Sequence, residues 1–233
     1  MIQFLGIHLK NEKHLFQIYF RGQPVAKLSQ PVPQCLLIEF DNKKHLALSF
    51  CRIQEFYESN NPKLKGREFS FYEFIKEQMA DDGKIKYFNH WDGYNFNDKV
   101  YRQWLPWDRT DHERAMIAFM ESKLDMDQPF YVIGSRGGDK GTIKHEIAHA
   151  LYYLDLAYKS NAQALIGRFS FEYPYEYRKF KAELFAMGYA EEVIADEMQA
   201  YLSTSNLYDL RKFGVDQPIL IERFRHNFRS YLK

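Results

Sequence analysis

Two histidines four residues apart on an apolar stretch constrain this chain more than any other feature. The segment Thr142-Ile143-Lys144-His145-Glu146-Ile147-Ala148-His149-Ala150-Leu151-Tyr152 contains His145-Glu146-x-x-His149. Residues four apart on a helix share one face, about a turn from each other, so both imidazoles can reach a single cation. Glu146 is turned about 100° from His145 by the 3.6-residue period. That places a carboxylate where it misses the ion but touches water beside it. Zinc takes neutral imidazole nitrogens readily, and a catalytic zinc keeps three protein ligands and one water. Such an ion lowers the pKa of water to roughly 7, and a neighbouring Glu can take the proton.

A chance match to this five-residue pattern is expected on the order of 1% of the time at average residue usage, so the flanks matter. Tyr131-Val132-Ile133 predicts a short strand, Gly137, Gly138 and Gly141 a loop, and Thr142 a helix start. Ala150, Leu151, Leu154, Leu156 and Ala157 continue the apolar pattern with no Gly or Pro, which predicts one unbroken helix. The plain alternative is a solvated helix carrying two histidines. Ile143, Ile147, Ala148 and Leu151 argue instead for burial, and buried His and Glu side chains need a partner.

These residues resemble the zincin metallopeptidases, whose HExxH helix supplies two zinc ligands and the general base. The resemblance covers the active-site helix and a later glutamate helix, and does not extend over the first 130 residues. It implies a zincin-like fold, Zn2+ at His145 and His149, and Glu146 as catalytic base. It further implies that the strand before the helix can pair with an extended substrate. Some zincins place a last ligand six residues after the second His, where this chain has Asp155. On a straight helix Asp155 points about 240° from His149 and cannot join the same ion. A downstream carboxylate is therefore expected. Ile194-Ala195-Asp196-Glu197-Met198-Gln199-Ala200-Tyr201 resembles the glutamate helix of the gluzincins. Glu197 shares a face with Val193, Ile194, Ala200 and Tyr201, so its carboxylate is expected to be buried and to need zinc as partner. Glu183, Glu191 and Glu192 are the rivals. Asp196 is a candidate to orient a ligand His through its other ring nitrogen. An oxyanion donor is expected too; Tyr201, one turn past Glu197, is the choice, with Tyr152, Tyr153 and Tyr189 as alternatives.

At 233 residues, 45% apolar and 27% charged, the composition is globular. A net charge of +1 argues against nucleic acid or an anionic membrane as partner, leaving a protein or peptide substrate. No run reaches membrane-spanning length, and Met1 to Lys10 has neither a charged leader nor a cleavable apolar stretch. The expectation is a cytoplasmic location. Cys35 and Cys51 are expected in strands as small buried residues, unpaired in a reducing compartment.

The remaining chain predicts strands first and helices after. Leu15–Phe20 is a strand ending at the Gly22 and Pro24 turn. Leu36–Phe40 and Leu46–Phe50, joined by Asp41-Asn42-Lys43-Lys44, suggest a hairpin, with a short helix from Arg52 to Tyr57. Ser70 with Glu73, and Thr110 with Glu113, have capping-box spacing and open helices over 71–79 and 110–122. Residues 85–109 are crowded with rings, better read as packing over the core than as a substrate platform at Trp91–Phe96. Gly134–Lys140 lacks the spacing of a phosphate loop. Helices are expected at 175–187, closed by Gly188, at 190–203 and at 220–229. His8, His14, His45, His90 and His112 lack ligand spacing.

The reading is thus an α+β chain, with a strand-rich part over 1–109 and a helical catalytic part over 110–233 in one continuous domain. The expected function is zinc-dependent hydrolysis of an amide bond by a peptidase. One alternative is a metal-binding regulatory or interaction protein that keeps the fold without the activity. Another is a hydrolase of some non-peptide amide.

Overall fold

The polar turn at Asp41–Lys44 starts a helix rather than closing a hairpin. In the computed structural model, Asn42 accepts from the His45 backbone N–H at 3.0 Å and caps α1 (Lys43–Glu58). Buried Leu46, Ala47, Phe50, Cys51 and Ile53 fall on one face with helical spacing. A short apolar run fits strand or helix equally; the cap and the continuation through Arg52–Tyr57 favour the helix. Cys51 is therefore helical, not in a strand. Both cysteines are buried and free, and burial pushes their thiol pKa values up.

The structure describes residues 7–12, 15–20, 23–59, 61–80, 83–89, 91–104, 108–189 and 191–232. His14 and His90 lie outside them. The chain divides into two compact units, Met1–Asp139 and Lys140–Lys233. The expected boundary at 109/110 precedes a helix that belongs to the first unit.

In the first unit, strands β1 (Ile7–Glu12), β2 (Leu15–Phe20), β3 (Gln23–Ser29) and β4 (Cys35–Phe40) run as an antiparallel meander. The chain then passes through α1, α2 (Phe71–Gln78), β5 (Gly93–Asn97), α3 (Asp98–Gln103) and α4 (Asp111–Lys123). It returns as β6 (Tyr131–Arg136), parallel to β4, in a six-stranded sheet of order β1-β2-β3-β4-β6-β5. Both capping boxes, Ser70 with Glu73 and Thr110 with Glu113, are formed. The rings of the 85–109 stretch serve the core: Tyr87, Tyr94, Phe96, Tyr101 and Trp104 are buried, with Tyr94 and Phe96 on β5, Tyr101 on α3, Trp104 at its C-cap and Tyr87 on a 3-10 turn. Trp91 is exposed.

One expectation is overturned here. β6 is hydrogen-bonded to β4 on one side and to β5 on the other, over Tyr131–Arg136 and Tyr131–Ser135 respectively. It has no free edge on which an extended substrate could add a strand. Gly134 in this interior strand has a packing reason. A Cβ there would lie 2.5 Å from the Phe50 ring and 2.9 Å from Leu46 of α1. Gly134→Ala should therefore destabilise the protein by about 1–3 kcal/mol through overpacking, measured as a lowered urea midpoint at unchanged slope; an unchanged midpoint refutes the fit.

The second unit is helical: α5 (Lys140–Leu154), α6 (Leu156–Glu172), α7 (Pro174–Ala186), α8 (Ile194–Thr204), α9 (Leu207–Lys212) and α10 (Pro218–Tyr231). Its core joins Phe169, Phe180, Leu184, Met198, Leu202 and Phe224 among others. The helix expected to run unbroken past the motif stops at Leu154. Asp155 is extended and caps α6, its Oδ1 accepting from the Tyr158 N–H at 2.9 Å. A cap needs no Gly or Pro, which is why composition alone misses this break. Gly188, at φ +97°, closes α7 in a conformation that glycine adopts without strain. Among the described residues no helix is long and apolar enough to cross a membrane.

Candidate metal centre

α5 and α8 lie against each other, joined by the Gln199 side chain of α8, which donates to the Ala148 carbonyl of α5 at 3.2 Å. This contact sets the two histidines of α5 beside the first turn of α8, which carries Asp196 and Glu197. His145, His149 and Glu197 each turn a ligand atom into a group no wider than 4.8 Å. Among the described residues no other set of three or more His, Cys, Asp or Glu does so. Glu183 lies on α7 outside this group, and exposed Glu191 is paired with Lys181 at 2.6 Å. Asp155 is occupied as a cap. The whole cluster falls within Lys140–Lys233.

The separations can be compared with what an ion requires. His145 Nε2 and His149 Nε2 are 3.1 Å apart. Glu197 Oε1 is 3.6 Å from His149 Nε2, and Glu197 Oε2 is 3.7 Å from His145 Nε2. Zinc with bonds of 2.0–2.1 Å in a tetrahedron separates its ligand atoms by about 3.3–3.4 Å. The observed separations bracket that value.

Hydrogen bonding on the far side of each ring gives the same result. His149 Nδ1 lies 2.8 Å from Asp196 Oδ1, an acceptor, so Nδ1 carries the proton and donates. The Thr204 hydroxyl donates to the Ala200 carbonyl at 2.7 Å, leaving its oxygen to accept from His145 Nδ1 at 3.5 Å. With both Nδ1 atoms placed to donate, the two Nε2 atoms are turned toward each other and the Glu197 carboxylate. Glu197 Oε2 is buried without a hydrogen-bond partner. Two ring nitrogens and two carboxylate oxygens drawn this close require positive charge between them, which a proton or a metal cation supplies. The titration of His149 reflects the same field. Burial lowers its pKa, but Asp196, Glu197 and Glu146 outweigh burial and raise it to about 10. Burial likewise raises Glu197, yet His149 and His145 hold it below the ordinary carboxylate value. A cation fits this donor set.

Glu146 is buried on α5 next to the first histidine. Tyr201 meets the His145 ring edge-on with centroids 4.7 Å apart, and its hydroxyl is 3.5 Å from that of Tyr189. Burial raises the pKa of both phenols, so both keep their protons and can donate. Elsewhere on α5, the Tyr152 hydroxyl accepts from Gln163 at 3.3 Å. No ligand spacing in the sequence points to Thr204, although it lies seven residues after Glu197, on the same helix face.

No family model matches this chain, and neither a curated protein nor a solved structure matches it.

Proposed function

We propose that the chain is a zinc-dependent metallohydrolase of the zincin type, acting on peptide bonds. The observation that carries the reading is the convergence of His145 Nε2, His149 Nε2 and the Glu197 carboxylate within 4.8 Å of one another, with the buried Glu146 next to His145 on the same helix. His145, His149 and Glu197 would hold the ion, and zinc when bound supplies Lewis acidity towards water and a substrate carbonyl. Each protein group then has a separate task. Glu146 takes a proton from water and later delivers it to the leaving amine. Tyr201 offers its phenol proton to the oxygen that becomes anionic. Asp196 keeps His149 in the tautomer whose Nε2 is a ligand. An acid–base carboxylate with a neutral phenol donor suits cleavage of an amide with its poor amine leaving group, and the resemblance to the zincins directs the choice among amides to peptide.

Metal analysis of purified protein should find about one zinc per chain. Glu197→Gln should weaken zinc binding by more than the roughly 10–100-fold typical of residues that only support a ligand. Cleavage of a proteome-derived peptide library should stop with chelator and return with zinc. Protein that binds no divalent ion would refute the metal centre. Protein that binds zinc but cleaves no peptide would refute the activity alone.

A further inference from the structure

Gln199 is fully buried on α8, and every polar hydrogen and oxygen of its amide is engaged. Its Nε2 donates to Asp196 Oδ1 at 3.0 Å and to the Ala148 carbonyl of α5 at 3.2 Å. Its Oε1 accepts from the hydroxyl of Tyr158 on α6 at 2.6 Å, and Tyr158 is itself wholly buried. The amide cannot turn over, because its oxygen would then face a carboxylate and a carbonyl. Asp196 Oδ1 accepts from both Gln199 and His149 Nδ1, so the oxygen that orients the histidine is the one the glutamine holds.

We propose that Gln199, braced by Tyr158, is a positioning residue of the metal centre, fixing Asp196 and hence the direction of the His149 ring. The proposal rests on the zinc reading above, and goes beyond it by assigning two residues no ligand pattern contains. Asp196 is partly exposed, with 29% of its side chain accessible. Without Gln199 its carboxylate is free to rotate into solvent. The amide does two things at once. It ties the acid to the ligand ring, and it ties α8 to the backbone of the residue just before His149. A hydrophobic side chain of similar size would fill the space and keep the helices apart at the same distance, yet would hold neither the carboxylate nor the carbonyl.

The test is a double-mutant cycle read as zinc affinity, by competition with a chromophoric chelator. Gln199→Leu should weaken zinc binding about tenfold, at the low end for partners that support a ligand. Acting through Asp196, it should produce no further loss in an Asp196→Ala background; losses that simply add overturn the proposal. A second readout needs no metal. The His149 Nδ1–H should give a slowly exchanging imidazole proton in wild-type NMR spectra and lose it in Gln199→Leu. Persistence of that proton in the variant overturns the proposal. A wild type that holds no zinc, but whose variant loses the proton, refutes the metal reading and leaves the clamp on His149 supported. If Gln199→Leu does not fold, Tyr158→Phe, which deletes one hydroxyl, takes its place in the same cycle with a smaller loss in the same direction.

Discussion

Glu146→Gln is expected to lower turnover by about 10²–10⁴-fold, the range for loss of a positioned general base, while the protein still binds one zinc. Gln keeps the length and hydrogen-bonding capacity of Glu but cannot take a proton at neutral pH. Glu146 is buried on the same helix as both histidines and does not belong to the group that converges on the ion site. Its replacement therefore leaves the donor set His145, His149 and Glu197 untouched. The comparison to make is kcat on a cleaved peptide against zinc stoichiometry, on the same preparation. Loss of both together would mean that Glu146 holds the metal or the fold. Loss of neither would mean that the cleavage does not use this site, as with a contaminating peptidase, and would favour a metal-binding protein without hydrolytic function, since such a site has no use for a base. The zinc-binding alternative and the peptidase thus separate on one side chain.

What was legible in the sequence is what depends on short range. His145 and His149 are brought together by a single helix, and a four-residue spacing suffices to say so. Ser70 with Glu73 and Thr110 with Glu113 are likewise local, and both boxes are present. Glu197 is a step harder, because the face argument says only that an acid is buried, not what it meets. The packing of α5 on α8 supplies that, and the rivals drop out for reasons of place: Glu191 faces Lys181, and Asp155 starts α6. The failures have one physical origin. Leu46–Phe50 is too short for its period to separate strand from helix, so a single cap at Asn42 decided it. The interior position of β6 depends on β5, which arrives from a stretch dominated by rings and turn residues. The Tyr158–Gln199–Asp196 chain joins residues 41 positions apart in sequence through side chains with no spacing signature.

Arg52→Met should destabilise the protein by about 3–5 kcal/mol, the usual effect of removing one partner from a buried charge cluster. Arg52 is wholly buried in α1, and its guanidinium donates from Nε and Nη2 to the two oxygens of Glu113 at 2.7 and 2.5 Å. Nη1 donates to Asp108 Oδ1 at 2.7 Å and to the Phe69 carbonyl at 3.0 Å. Burial works against the charge, but Glu113 and Asp108 outweigh it and raise the pKa, so the cation is firmly held. Methionine fills much of the space and leaves Glu113, itself 1% exposed, as a buried anion without its cation. Glu113 also accepts the Thr110 N–H at 2.8 Å in the capping box of α4, so it cannot swing away without releasing that helix end. Urea unfolding measures the loss. The pair Arg52→Met with Glu113→Met should lose less than Arg52→Met alone, because only the partly exposed Asp108 is then left without its cation, apart from about 1 kcal/mol for the lost cap. If the single change is tolerated within 1 kcal/mol, the cluster is not the electrostatic anchor of the first unit. Because the ligand atoms of the metal centre all lie beyond Asp139, folded Arg52→Met protein should keep its zinc.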